Sequence, residues 1–134
     1  MILNPNDSLS EWSGAERAVR ALNAVGAIVA AGFAVAAWID PAVVLPGNAA
    51  TAGAQFYAEV YAARALPLTV VLLVVLAARS RGGLVTMLLL AGLIQAADMV
   101  IGVAWHRVGM IAGGGLLAAI HLASARWLWR RQGR

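Results

Sequence analysis

Residues 58–78 read AEVYAARALPLTVVLLVVLAA, and RSRGG follows at residues 79–83. A helix crossing a hydrocarbon core needs ~20 residues at a rise of ~1.5 Å each, and this run supplies them. No charged residue interrupts it after Arg64, and nothing in it alternates with the period of two that a barrel strand requires. It ends at two arginines and two glycines, a polar, turn-forming stop suited to a membrane surface.

Working outward from this run, three similar ones appear. A third span is expected from Leu84 to Trp105, a fourth from Val108 to Trp129 and a first from Ala18 to Ile39. The fold class is therefore all-α, a four-helix transmembrane bundle. The links 79–83 and 105–107 are so short that they imply antiparallel neighbours. The link from Pro41 to Ala58 carries the turn signals Asp40-Pro41 and Pro46-Gly47-Asn48, and reads as a loop folded over one mouth of the bundle. Its lack of charge leaves a shallow re-entrant segment as the alternative. The resulting layout is an interfacial segment over residues 1–17, one membrane domain over 18–129 and a basic tail over 130–134. Ser13-Gly14-Ala15-Glu16 has capping-box spacing, which starts the first helix at the membrane surface.

Composition agrees with the spans. Hydrophobic residues make up 62% of the 134 and charged ones 12%, against roughly 25% charged in ordinary soluble domains. With no cysteine, disulfides, thiolate metal sites and cysteine nucleophiles are excluded. His106 and His121 are too few to make a zinc site by themselves, and no metal or cofactor is expected. The net charge of +4 comes with no basic face interleaved with aromatics, so nucleic acid is not an expected partner. All the basic residues are arginines, and they read as a topology signal. Arg17, Arg20, Arg79, Arg81, Arg126, Arg130, Arg131 and Arg134 fall on one side of the bundle and Arg107 on the other. By the positive-inside rule both termini are cytoplasmic. The first span is too long, and its flank too mixed with Asp7, Glu11 and Glu16, for a signal peptide. An integral, multi-pass protein of a bacterial cytoplasmic membrane is the expected setting, with membrane lipid as its first partner.

Polar residues within the spans carry the functional information, because a charge near the middle of a membrane helix costs about 2.5–3.5 kcal/mol on insertion scales. Arg64 and Asp98 each lie about four residues outward of their span midpoints near Leu68 and Ile94, hence at one level ~6 Å from centre. That level predicts an ion pair. Tyr57, Tyr61 and Arg64 share a face of the second span, and Gln95 and Asp98 share one on the third. With Glu59 they are expected to line a polar cavity opening outward. Asn23, His121 and Ser124 form a second polar layer toward the cytoplasmic side. Each has a plainer reading: the ion pair as a helix-pairing bridge, Glu59 as a solvated anion at a helix N-terminus, and the rest as interhelical hydrogen bonds. The five tryptophans read as interfacial anchors. Small faces such as Gly26-Ala27-Ala30 and Gly113-Gly114-Gly115 permit close helix approach, a flat ligand or a second protomer, and a homodimer is compatible with them.

The run from Phe56 to Arg64, then Gln95-Ala96-Ala97-Asp98 and His121, resembles a set of small four-helix membrane proteins carried as a domain of unknown function in bacteria and fungi. The resemblance covers roughly residues 20–128 and implies an arginine in the second helix, an aspartate in the third and a late histidine, with little assigned chemistry. More loosely, the architecture looks like sterol-isomerase and membrane terpene-cyclase bundles, though no diagnostic motif of either is present.

Three functions follow as expectations. The leading one is an enzyme performing acid–base chemistry (isomerisation, cyclisation or epoxide opening) on a lipophilic small molecule. Asp98 and Glu59 would be the working pair, Arg64 would set the state of Asp98, and Tyr61, Gln95, His121, Asn23 and Tyr57 would line the pocket. The alternatives are a non-catalytic lipid-binding or scaffolding protein and a small proton-coupled transporter. Small multidrug exporters carry an essential glutamate in the first helix, and here that helix has no carboxylate between Arg17 and Ile39.

Overall fold

The computed structural model describes residues 13–43, 51–78 and 80–132. Among them α1 spans Gly14–Ile39, α2 Ala52–Ala77, α3 Arg81–Ala104 and α4 Val108–Gln132, with one 3-10 turn at Pro41–Val43. All four helices are long and apolar enough to cross a membrane. Their outer surface is apolar: Val25, Ile28, Val70, Val74, Leu93 and Val100 are each more than half exposed. Contiguous apolar surface of this kind is unfavourable in water and is relieved by acyl chains. The chain is a four-helix membrane bundle.

Local chemistry sets the helix ends. At α1 the Ser13 hydroxyl accepts from the Glu16 amide at 3.3 Å, and the Glu16 carboxylate accepts from the Ser13 amide at 2.8 Å, completing the capping box. The second helix begins at Ala52, not at Ala58, because Thr51 caps it by accepting from the Ala54 amide at 3.1 Å. The uncharged stretch 52–57, expected in the loop, is therefore helical. At the other end of the chain α4 continues to Gln132, so Arg130 and Arg131 belong to its last turn and not to a tail. Cations there meet the negative end of the helix dipole. The Arg131 guanidinium also stacks 4.1 Å from the Trp127 ring. Residues 1–12 of the expected interfacial segment, the Pro46-Gly47-Asn48 turn, Arg79 and residues 133–134 lie outside the described residues.

The helices associate as two pairs. α3 and α4 pack most closely and α1 and α2 next; α2 meets α3, and α1 meets α4, more sparsely. Glycines explain the tighter pair. A Cβ on Gly114 would sit 2.9 Å from the Gln95 carbonyl oxygen and 3.1 Å from the Met99 amide, both main-chain atoms of α3. One on Gly102 would sit 3.0 Å from the Ile111 amide of α4. Backbones in direct contact leave no room for a side chain.

One half of the bundle is filled. Leu72 and Leu76 of α2, Leu84, Val85 and Leu88 of α3, and Ala125 and Leu128 of α4 form its apolar core with Ala27 of α1. Two polar contacts brace this half: Glu16 pairs with Arg81 at 3.1 Å, and the Arg20 guanidinium donates to the Leu76 carbonyl.

The seam yields a paired prediction. Gly114→Ala should lower the thermal midpoint in detergent by several degrees, since overpacking costs about 1–3 kcal/mol. Gly113→Ala, one residue earlier with nothing within 4 Å of the added methyl, should keep or raise the midpoint, since alanine is the better helix former. Equal midpoints for the two variants would refute the seam.

Candidate functional site

The half of the bundle opposite the leucine core is open. A cavity of about 400 Å³ lies between the helix pairs, lined by Ala30 and Phe33 of α1, Tyr57 and Tyr61 of α2, and Gln95 and Asp98 of α3. From α4 come Met110, Gly113, Gly114 and Leu117, and the mouth is bordered by Val43, His106 and Arg107. This size suits a small organic ligand, and mostly apolar walls with a few polar groups are the usual composition of such sites. Val43 brings the start of the α1–α2 link over the mouth.

Arg64 and Asp98 meet across α2 and α3. One guanidinium nitrogen donates to both carboxylate oxygens of Asp98, at 2.8 and 3.1 Å. The two partners are unequally covered: 48% of the Arg64 side chain is exposed against 13% for Asp98. Asp98 is set in the cavity wall, whereas Arg64, expected to line the same cavity, is not among its lining residues and pairs with the carboxylate from outside it. Tyr61 lies beside the arginine, with the guanidinium carbon 5.8 Å from its ring centre.

Glu59 does not join them. It is exposed, accepts from the Gln55 amide nitrogen at 3.0 Å, and is not among the cavity-lining residues. The reason is angular. At about 100° per residue, Glu59 lies roughly 140° around α2 from Arg64, whereas Tyr57 and Tyr61 lie within roughly 60° of it. The expected working pair of carboxylates is thus separated, leaving Asp98 as the carboxylate of the cavity wall.

The inner polar layer is a connected network. The Asn23 side-chain nitrogen donates to the Val19 carbonyl at 2.7 Å and to the Ser124 hydroxyl at 2.9 Å. A carbonyl only accepts, so the Asn23 nitrogen is identified and its oxygen faces His121 Nδ1 at 2.7 Å. Nδ1 therefore carries a proton. Asn23 and His121 are buried, and among the described residues no buried side-chain nitrogen or oxygen lacks a partner.

Two polar residues of the cavity lining were not among the expected site residues. His106 and Arg107 stand in a three-residue link, but a tight turn between adjoining helices places its side chains at the bundle end. The turn is a Schellman closure: the His106 amide bonds the Val103 carbonyl at 3.2 Å and the Arg107 amide bonds the Gly102 carbonyl at 2.8 Å. His106 occupies the position that favours glycine, with φ at 52°. No group of three His, Asp or Glu side chains able to hold a metal occurs among the described residues.

Comparison of the chain with protein-family models, with curated proteins and with solved structures yields no match. The class is given by the fold alone, a four-helix membrane bundle with a largely apolar cavity in one half.

His106→Gly should raise the thermal midpoint, because relieving a left-handed conformation at one non-glycine residue is worth about 1 kcal/mol. A fall in the midpoint would mean that the His106 side chain contributes more to the mouth than its backbone conformation costs.

Proposed function

We propose that this protein is an integral membrane enzyme performing acid–base chemistry on a lipophilic small molecule bound between its helix pairs. The observation that carries the reading is the setting of Asp98: a carboxylate in the wall of a largely apolar cavity, held at 2.8 Å by the half-exposed Arg64, which stands outside that cavity's lining. A carboxylate facing such a cavity can act as a base or as a stabiliser of developing positive charge. Of the three expected reactions, isomerisation by proton shift fits best. One carboxylate suffices for it, taking a proton from one carbon and returning it to another as the double bond moves. Epoxide opening with a separate acid and base would call on Glu59, which stands outside the cavity lining. The Tyr57 and Tyr61 hydroxyls are the candidates to hydrogen-bond a substrate oxygen as charge develops on it.

The reading includes a topology. Antiparallel neighbours are supported by contacts such as Gly92 with Leu122 and Gly102 with Met110. Cytoplasmic termini are supported by the gathering of Arg17, Arg20 and Arg81 near the leucine-filled half. In a bacterial cytoplasmic membrane the cavity would then open away from the cytoplasm, with lipid as the route for an apolar substrate. The leucine core beneath the cavity argues against a continuous path, and with it the transporter.

A scaffolding role is favoured by one observation. The Arg64–Asp98 pair links α2 to α3, helices that otherwise touch sparsely, and so could serve purely as a brace. The two readings separate cleanly. Lipid extracts from cells carrying wild type or Asp98→Asn would be compared by mass spectrometry, with each protein confirmed folded. The enzyme reading expects an apolar compound to accumulate with Asp98→Asn, and identical extracts would defeat it. The double change Arg64→Met with Asp98→Leu should keep the fold, since an ion pair within a membrane bundle is replaceable by apolar residues of similar size, yet give the same accumulation. A folded double variant with a wild-type lipid profile would establish the brace.

A further inference from the structure

Beneath the Arg64–Asp98 pair the bundle holds a second, smaller void of about 30 Å³. Tyr61, Gln95 and Asp98 line both this void and the outer cavity, so the two spaces share a polar wall. Thr69 contributes to the void, and His121 stands in its lining.

The orientation of His121 follows from its neighbours. Nδ1 is committed as a donor to Asn23, whose own nitrogen is fixed on the Val19 carbonyl. In the neutral ring the other nitrogen, Nε2, is then a bare acceptor. It has no protein partner, yet no described buried nitrogen or oxygen is both sealed and unpaired. Nε2 must therefore open onto free space, and the void is the space that His121 lines. A water needs roughly 10–15 Å³ of such volume and two to four polar partners, so the void admits one or two waters. Asp98, Gln95, Tyr61 and His121 offer those partners.

We propose that water bound in this void joins the Asp98 carboxylate to His121 Nε2 and makes His121 the inner proton acceptor of the site. The inference builds on the reading of Asp98 as the proton-abstracting group. After abstraction, the Asp98 carboxylic acid gives its proton to the water, and the water passes one of its own protons to Nε2. The carboxylate is restored, the imidazole becomes an imidazolium, and the Nδ1–H bond to Asn23 is kept. With Arg64 positive, Asp98 negative, His121 positive and the substrate carbanion negative, the charges sum to zero. Reversal returns the proton to the second carbon. His121 is here a positioning and relay residue, acting through Asp98 and not on the substrate.

The test is nuclear magnetic resonance on the full chain with nitrogen-15 histidine in phospholipid nanodiscs, using His106→Gln to assign the two rings. The expected spectrum shows His121 protonated at Nδ1, with magnetisation passing from water to the ring. Asp98→Asn should move the Nε2 resonance, and Ala65→Leu, which adds bulk to the void wall, should abolish the water transfer. An Nε2-protonated ring, or no transfer from water in the wild type, overturns the proposal, and the wild-type spectrum decides it even where Ala65→Leu does not fold. A dry void together with an accumulating lipid in Asp98→Asn would remove the relay while leaving the carboxylate's role intact. A hydrated, Nδ1-protonated site with no lipid change would keep the water link and remove the enzyme.

Discussion

The main-chain contact between α3 and α4 is the constraint on which the remaining architecture depends. Where Gly114 faces the Gln95 carbonyl and the Met99 amide, two helix backbones touch without intervening side chains. Association of apolar helices in lipid gains nothing from the hydrophobic effect, so such close packing is a main source of cohesion. The α1–α2 pair approaches α3–α4 less closely, and Phe33, Tyr57 and Tyr61 line the space left between them. The cavity is the remainder of this unequal packing. It closes where leucines take over from aromatic and polar residues, at Leu72, Leu76, Leu84 and Leu88.

The buried polar groups and Asp98 are tolerated at depth because each has an assigned partner. Asp98 has Arg64, Asn23 has Val19, Ser124 and His121, and Thr69 donates to the Ala27 carbonyl at 3.5 Å. Losing one member would leave another desolvated and unpaired, at a cost of about 1–3 kcal/mol for a neutral group and more for a charge. These bonds also cross between helices: Arg64–Asp98 ties α2 to α3, Asn23–His121 ties α1 to α4, and Thr69 ties α2 to α1. Thus the sparse contacts between the pairs are bridged by the Arg64–Asp98 and Asn23–His121 bonds, while Thr69 joins α2 to α1 within one pair. Structural and chemical roles fall on the same side chains.

Three consecutive glycines show how finely position divides these roles. Gly113 faces the cavity with open space around it, Gly114 touches the backbone of α3, and Gly115 lies against the Met99 side chain. Successive residues on a helix are turned by about 100°, so neighbours in sequence address different surroundings. The same rotation separates Glu59 from Arg64 and brings Tyr57, seven residues earlier, onto the arginine's face.

The sequence by itself determined the class of protein and much of the placement of its polar residues. Apolar length established four spans, since only ~20 unbroken apolar residues satisfy a bilayer, and Ser13 with Glu16 announced where α1 begins. The level of Arg64 and Asp98 was readable because helical rise converts position into depth. What it could not contain was distance between helices. Whether 52–57 is loop or helix turned on a single cap at Thr51, and whether His106 and Arg107 reach a cavity turned on how their link closes. The exclusion of Glu59 from the cavity, the division of the glycines and the orientation of His121 all required knowing which face each helix turns to its neighbours. Hydropathy is a property of one segment, whereas a cavity belongs to several segments at once, so only the tertiary structure could decide it.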